Sequence, residues 1–324
     1  MRKVLFVFRD FFGYEKIIIR LMEDVLGYKV YYLNSSIPSI SYSSFIEKIY
    51  NNFFYKIIFR KNYKTVKKNE NTIKKIQDFG NLDYIFCIRP DIIKHDIMKY
   101  LFELRKKMIL HNWDSLSWYE EQKYYQKYFD SISSFDKKES EDYNMNFLPN
   151  FYLGELINEK EEIKYDAFTV MSYGYRVELL EKIAKNLKER NINYKFIVVT
   201  DKEIKSEYLT IQKESISIEE TYKYMQQAKV IIEIGHYKEE KKQGGLSFRA
   251  IEALGCRRKL ITTYDIIEDY DFYNENNIKI ISENNYAIND EFFKTEYIDI
   301  ESEIYNKYES KEWIKQIFKD VSEN

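Results

Sequence analysis

The chain has 324 residues, of which 44% are hydrophobic and 32% charged, enough apolar material for two ordinary cores; a disordered tail is excluded. With 51 Lys and Arg against 53 Asp and Glu the formal charge is −2, so no overall field draws the chain to nucleic acid. Cys87 and Cys256 lie far apart without metal-ligand spacing, which argues against a disulfide framework and for a reducing, cytoplasmic compartment.

Residues 3–8, Lys-Val-Leu-Phe-Val-Phe, form a continuous apolar run, the pattern of a strand buried on both faces. Met1 leads straight into this run without signal-peptide architecture. No stretch reaches about 18 apolar residues, so no membrane span is expected. A loop at 9–13 and a helix to about Leu26 follow, with Gly27 as the glycine that ends it. Strands are expected at 28–33 and 84–88, with helices across 43–79 between them. Arg89-Pro90-Asp91 closes the third strand, and Asp91 is read as the cap of the next helix. A fourth strand at 107–110 runs into His111-Asn112-Trp113-Asp114-Ser115, and a fifth covers 131–134. The pattern breaks in a charged stretch within 149–164 and then restarts. Strands are expected at 166–172, 194–200, 229–234, 259–263 and 278–281, and helices at 176–190, 217–228, 247–254 and 300–321. Ser217 and Glu220 have capping-box spacing, and Gly255 is read as the stop of the helix before it. This alternation predicts an α/β chain of two Rossmann-like, doubly wound domains facing a central cleft, with ligands at the carboxyl ends of the strands. The expected bounds are 1–155, 165–295 and a final helical segment at 296–324.

The most informative stretch is Gln243-Gly244-Gly245-Leu246-Ser247-Phe248-Arg249 through Glu252 to Gly255, followed by a strand. A glycine-rich loop entering a helix capped by Ser247 offers amide hydrogens and a helix dipole to a diphosphate. Arg249 lies in the first turn, where a guanidinium can neutralise phosphate, and Glu252 shares its face, where a carboxylate suits ribose hydroxyls. The plainer reading is an ordinary capped helix with a surface Arg–Glu pair. A second segment, Phe168 to Ser172 followed by Tyr173, Gly174, Tyr175 and Arg176, is a strand ending in small residues with an arginine opening a helix. There Gly174 permits close backbone approach and Arg176 a diphosphate contact. His236, after the strand at 229–234, is a further polar candidate.

The stretch from Lys229 to Thr263 resembles the donor-binding segment of GT-B glycosyltransferases, especially bacterial enzymes of lipopolysaccharide and capsule assembly. The resemblance implies paired Rossmann-like domains, an acceptor site in the N-terminal half and a nucleotide-sugar donor in the C-terminal half. It also implies a final helix crossing back to the first domain. Donor contacts are then expected from Ser172, Gly174, Arg176, His236, Gly244, Gly245, Leu246, Ser247, Arg249 and Glu252. Many retaining members carry two glutamates eight positions apart. Glu252 matches the second, but Gly244 stands at the first, which favours inversion. Inversion needs a general base at the acceptor, and Asp114, Asp10 and His111 are the candidates; His111 reads equally as a core histidine, and Asp136 is a further one.

Between Lys48 and Lys75 nine basic residues stand against one acid, Glu70. Apolar residues recur there at helical spacing, so the segment reads as a core-facing helix with a basic side. The sharper reading is a patch within 46–75 that meets anionic lipid and a lipid-linked acceptor at the inner face of the cell membrane. No His, Cys and Asp cluster has ligand spacing, so no metal is expected, and Asp269-Tyr270-Asp271 reads as a surface acidic pair. The expectation is therefore a metal-independent glycosyltransferase with a nucleotide-sugar donor and a glycan or lipid-linked acceptor, no further cofactor and no nucleic-acid partner. A sugar-nucleotide epimerase of the same architecture and a non-catalytic nucleotide-sugar-binding partner in an assembly complex are the alternatives.

Overall fold

The computed structural model describes residues 1–35, 63–158, 160–235, 237–238 and 241–322. Two compact units make up the chain: Met1–Ser133 with Ile317–Asn324, and Ser134–Gln316.

In the first unit, β1 (Lys3–Phe8) pairs in parallel with both β2 (Lys29–Asn34) and β3 (Tyr84–Ile88), and β3 with β4 (Lys107–Asn112). With β5 (Ser131–Ser134) and β6 (Asn146–Phe147), the latter counted with the residues of the second unit, the sheet order is β2-β1-β3-β4-β5-β6. β1 and β3 are buried along nearly their whole length, as continuous apolar runs covered on both faces should be. Helix α1 (Tyr14–Asp24) buries Ile17, Ile18, Leu21 and Met22, one apolar stripe at helical spacing. Its end is as expected: Gly27 takes φ +67°, and the Tyr28 amide bonds back to the Met22 carbonyl. α2 (Tyr63–Asp78) and α3 (His95–Glu103) follow. Asp91 does not cap α3, whose N-cap is Lys94; it lies in a short 3-10 turn and pairs with Arg89. α4 (Glu121–Tyr125) precedes β5, and α5 (Lys137–Asp142), capped by Asp136, precedes β6. The basic patch expected within 46–75 lies outside the described residues up to residue 62.

The second unit holds β7 (Tyr165–Ser172), β8 (Tyr194–Val199), β9 (Thr210–Gln212), β10 (Ala228–Glu233), a short antiparallel pair β11 (Tyr237–Lys238) and β12 (Lys241–Lys242), β13 (Lys259–Thr262) and β14 (Ile278–Ile280). Its parallel sheet runs β14-β13-β10-β7-β8-β9. Read from the other edge this is the order 3-2-1-4-5-6 of a doubly wound dinucleotide-type fold, with its switch point between β7 and β10. α6 (Val177–Glu189) packs Leu179, Leu180, Ile183 and Leu187 with Ile232, Ile234 and Phe196. α7 (Ile218–Gln226) has the cap read from its sequence, Ser217 Oγ accepting from the Glu220 amide at 3.1 Å. α8 (Phe248–Gly255), α9 (Asp290–Lys294), α10 (Ser302–Lys307) and α11 (Ser310–Ser322) complete the chain. The helix expected over 300–321 is thus two helices. The interruption has a cause: Tyr152 donates to the Tyr308 carbonyl at 2.9 Å and accepts from the Ser310 amide at 3.0 Å, a strand-like bridge that competes with helical bonding.

Within the first unit Phe318 stacks edge-on against Phe86 at 5.6 Å and Tyr84 at 5.7 Å. Within the second, Trp313 lies 4.5 Å from Phe151. Among the described residues no helix is long and apolar enough to cross a membrane.

Candidate functional site in the second unit

At the switch point the loops after β7 and β10 diverge to opposite faces of the sheet. Arg176 is the N-cap of α6, and its Nη1 donates to the Ile234 carbonyl at 2.8 Å, tying the two loops together. Beside this contact opens a cavity of about 350 Å³. Tyr175, Arg176 and Leu179 line it from the start of α6, and Ile234 and Gly235 from the end of β10. Thr263 and Asp265 come from the end of β13, and Ile280, Ile281, Ser282 and Glu283 from the end of β14. Four consecutive strand carboxyl ends therefore build one pocket, the place where α/β sheets hold ligands. Thr263 Oγ1 accepts from the Gly235 amide at 2.7 Å, fixing the β10 loop to the β13 loop. Arg176 lies at this pocket. Ser172 ends β7 and is exposed, and Gly174 has no heavy atom within 4 Å of where a Cβ would stand. That glycine has no positive φ either, so neither packing nor backbone geometry demands it.

Alternation along β10 sends Ile232 and Ile234 to the α6 face and Glu233 to the other, where α8 begins. Glu233 is buried. Burial pushes its carboxyl above the usual range, against the opposing pull of Arg176, Arg249 and the Ser247 hydroxyl. Ser247 caps α8, accepting from the Ala250 amide at 3.3 Å. Arg249 and Glu252 form a pair at 3.2 Å with side chains 17% and 4% exposed, and Arg249 also touches the Met225 sulfur. The plainer expectation for this pair holds in one respect: it is an Arg–Glu pair, but an enclosed one rather than a surface one. Glu252, expected at the ribose, lies in it and does not line the cavity.

Gly244 and Gly245 are explained by packing. A Cβ on Gly244 would stand 2.7 Å from Asp136 Oδ1, and one on Gly245 would stand 2.7 Å from the Phe135 carbonyl oxygen. Leu246 is a core residue, and its carbonyl accepts from Asn150 Nδ2 at 2.9 Å. A carboxylate against Gly244 is also an unfavourable neighbour for a diphosphate. The glycine pair thus meets a second demand besides the expected one, a close backbone approach that leaves no room for a Cβ. His236 lies outside the described residues.

The first unit holds the acceptor-side candidates. Asp10 follows β1 and is exposed; its oxygens accept from Tyr32 Oη at 2.9 Å and Asn34 Nδ2 at 2.7 Å. Asp114 follows β4, and its Oδ2 meets Arg89 Nη1 at 2.7 Å. Arg89 is buried, bonds Asp91 through both Nε and Nη2 at 2.8 Å, and lies 3.5 Å from the Tyr119 ring centroid. Burial lowers the Arg89 pKa, but the two carboxylates outweigh it, so the guanidinium stays charged. His111 is wholly enclosed in β4 with Nδ1 2.9 Å from Ser133 Oγ, and burial lowers its pKa to about 3. Its enclosure fits the core-histidine reading that its sequence position also allowed.

Sequence reasoning missed Tyr175, Thr263, Asp265, Ser282 and Glu283 at the cavity. The signal was the strand-end rule itself, applied after β7 and β10 but not after β13 and β14. Asp271, half of the Asp-x-Asp, accepts from Lys307 Nζ and Tyr308 Oη, both at 2.6 Å. Among the described residues no group of three or more His, Cys, Asp or Glu is placed to hold a metal ion.

No family model matches the sequence, and no curated protein does. Solved structures match across the chain. A UDP-GlcNAc 2-epimerase from Methanocaldococcus jannaschii, in complex with UDP-GlcNAc and UDP, is 10% identical with a TM-score of 0.56, covering 100% of each chain. An alpha-glucosyltransferase in complex with UDP and a 13-mer DNA is 12% identical with a TM-score of 0.56, covering 100% of this chain and 99% of that one. The N-terminal domain of a trehalose-6-phosphate phosphatase from Candida albicans is 9% identical with a TM-score of 0.56, covering 100% and 97%. At these identities the likeness concerns the fold. Two six-stranded parallel sheets, each with helices, give this chain the GT-B fold.

Proposed function

We propose that the chain is a glycosyltransferase moving a sugar from a nucleotide-sugar donor to a glycan or lipid-linked acceptor in surface polysaccharide assembly, with inversion and without a metal. The observation that carries the reading is the 350 Å³ cavity at the strand ends beside Arg176, on the β7–β10 switch point of the second unit. Solved proteins of this fold that act on UDP-sugars make a nucleotide-sugar the natural ligand for such a pocket. Arg176 and the open backbone at Gly174 receive the diphosphate, at the amino end of α6 where the helix dipole favours it. Asp10 takes the acceptor hydroxyl proton. It is exposed and held by two neutral donors, whereas the corresponding oxygen of Asp114 is committed to a guanidinium.

A thermal-shift panel of nucleoside diphosphates and nucleotide-sugars tests the donor site, because a ligand selective for the folded chain raises the melting temperature. At least one class should stabilise the protein, and Arg176→Ala should abolish that shift while leaving the unliganded melting temperature within a few degrees. If no member of the panel shifts it, the reading fails. The epimerase alternative is compatible with the matching 2-epimerase structures, which resemble the chain no more than the glucosyltransferase ones do. NMR of a nucleotide-sugar incubated without acceptor separates the two: an altered sugar nucleotide marks an epimerase, and an unchanged one a transferase awaiting its acceptor.

A further inference from the structure

We infer that Tyr32 and Asn34 are positioning residues for Asp10, holding its carboxylate in the orientation from which it takes the acceptor's proton. This rests on the transferase reading above, in which Asp10 is the base, and adds the residues through which that base acts. The step it serves is balanced. The acceptor O–H bond breaks and its proton goes to Asp10, while the acceptor oxygen bonds the anomeric carbon. The bond from that carbon to the diphosphate oxygen breaks, and a nucleoside diphosphate leaves. An exposed aspartate left to itself samples several rotamers, and only some of them point at one hydroxyl.

Strand geometry removes that freedom. Tyr32 and Asn34 are alternate residues of β2, so their side chains leave the sheet on the same face. The parallel register sets Asn34 beside Phe8, two residues before Asp10. Tyr32 Oη donates to Asp10 Oδ1 at 2.9 Å and Asn34 Nδ2 to Asp10 Oδ2 at 2.7 Å, so each oxygen has its own donor. The Phe8 carbonyl lies farther from Tyr32 Oη, at 3.3 Å, which leaves the aspartate as the nearer acceptor. Burial, and then the bond to Asp10, push the Tyr32 phenol above its usual range, so it stays protonated and donating. The backbone of the loop is held as well: the Phe11 amide donates to Glu15 Oε2 at 2.9 Å, and the Phe11 ring lies 5.5 Å from that of Trp113. Both donors to Asp10 are neutral. A cation in their place would orient the carboxylate equally but hold down its affinity for a proton. A carboxylate has about four lone-pair sites, so two donors leave room for the acceptor hydroxyl.

Two readouts on the full chain test the inference. The first needs no substrate: aspartate is labelled with ¹³C and ¹⁵N, the Asp10 signals are assigned by their loss in Asp10→Asn, and three-bond couplings report its χ1. Wild type should show one rotamer, and the Tyr32→Phe/Asn34→Ala double variant averaged couplings. A single fixed rotamer in the double variant overturns the positioning role and leaves the transferase reading standing. The second readout is release of nucleoside diphosphate from the nucleotide-sugar that most raises the melting temperature, with methyl glycosides as acceptors. Tyr32→Phe should lower kcat about tenfold without moving the KM for the donor. In an Asp10→Asn background the same change should alter kcat by less than about twofold, because a residue that acts only through Asp10 then has nothing to position. A full tenfold loss in that background, or a raised donor KM in place of the lowered kcat, overturns the inference. Turnover unaffected by Asp10→Asn overturns the assignment of the base, and this inference with it.

Discussion

Arg89 adopts left-handed backbone at φ +62°, a region that costs a residue with a Cβ about 1–2 kcal/mol. Its guanidinium explains why the residue persists there: Asp91, Asp114 and the Tyr119 ring enclose it. Removing the cation leaves Asp91, itself nearly enclosed, without its partner. Arg89→Met is expected to destabilise the chain by about 3 kcal/mol in urea unfolding, more than the strain it leaves unrelieved. His111 gives a pH signature. Its folded pKa, about 3, lies below the unfolded value, so its contribution is intact above about pH 6.5 and is lost as the pH falls from there towards 3. Between pH 6.5 and 5 this group alone removes about 2 kcal/mol, at about 1.4 kcal/mol per pH unit. His111→Gln should lack that share of the acid slope in denaturant titrations, whatever its stability at pH 7. Gly174 separates ligand from packing: with open space around it, Gly174→Ala should leave thermal stability within about 0.5 kcal/mol yet weaken nucleotide binding.

The elements were largely legible because their signals are local. Continuous apolar runs marked β1, β3 and β10, Ser217 and Ser247 marked the starts of α7 and α8, and Gly27 marked the end of α1. What failed to read depended on residues distant in sequence. Gly255 does not end α8 by its conformation; Arg257, at φ +52°, takes the left-handed position, with the Arg258 amide bonded to the Ala253 carbonyl. The glycine answers instead to Tyr152, whose Cβ would lie 2.6 Å from an added methyl. Alanine at a helical position gains up to about 1 kcal/mol over glycine, but overpacking against a buried tyrosine costs about 1–3 kcal/mol. Gly255→Ala is therefore expected to lower the unfolding midpoint, and Gly245→Ala, against Phe135, to do the same. The candidate site divides along the same line. Arg176 was legible from its place at a strand-to-helix turn. Asp265 and Glu283 were not, because nothing in their neighbouring sequence says which loops the sheet order gathers.

At the scale of the whole chain, the sheet orders 2-1-3-4-5-6 and 3-2-1-4-5-6 follow from the strand–helix alternation seen in the sequence, which fixes parallel pairing but not which strand lies at each switch point. The first unit also draws on residues far from its own sequence. Phe318 packs with Phe86, Tyr84 and Tyr28, and the Tyr84 hydroxyl reaches the Val321 carbonyl. Phe318→Ala is expected to cost about 3–5 kcal/mol, measured by chemical denaturation. A consequence for synthesis follows. Residues 1–133 leave the ribosome early, but the aromatic side chain that seals their sheet emerges only after nearly two hundred further residues have been translated. The sheet of residues 1–133 must wait, open along one flank, for a closing piece delivered much later. Nascent chains arrested short of residue 317 should remain protease-sensitive between residues 1 and 133, and release of the remainder should protect them.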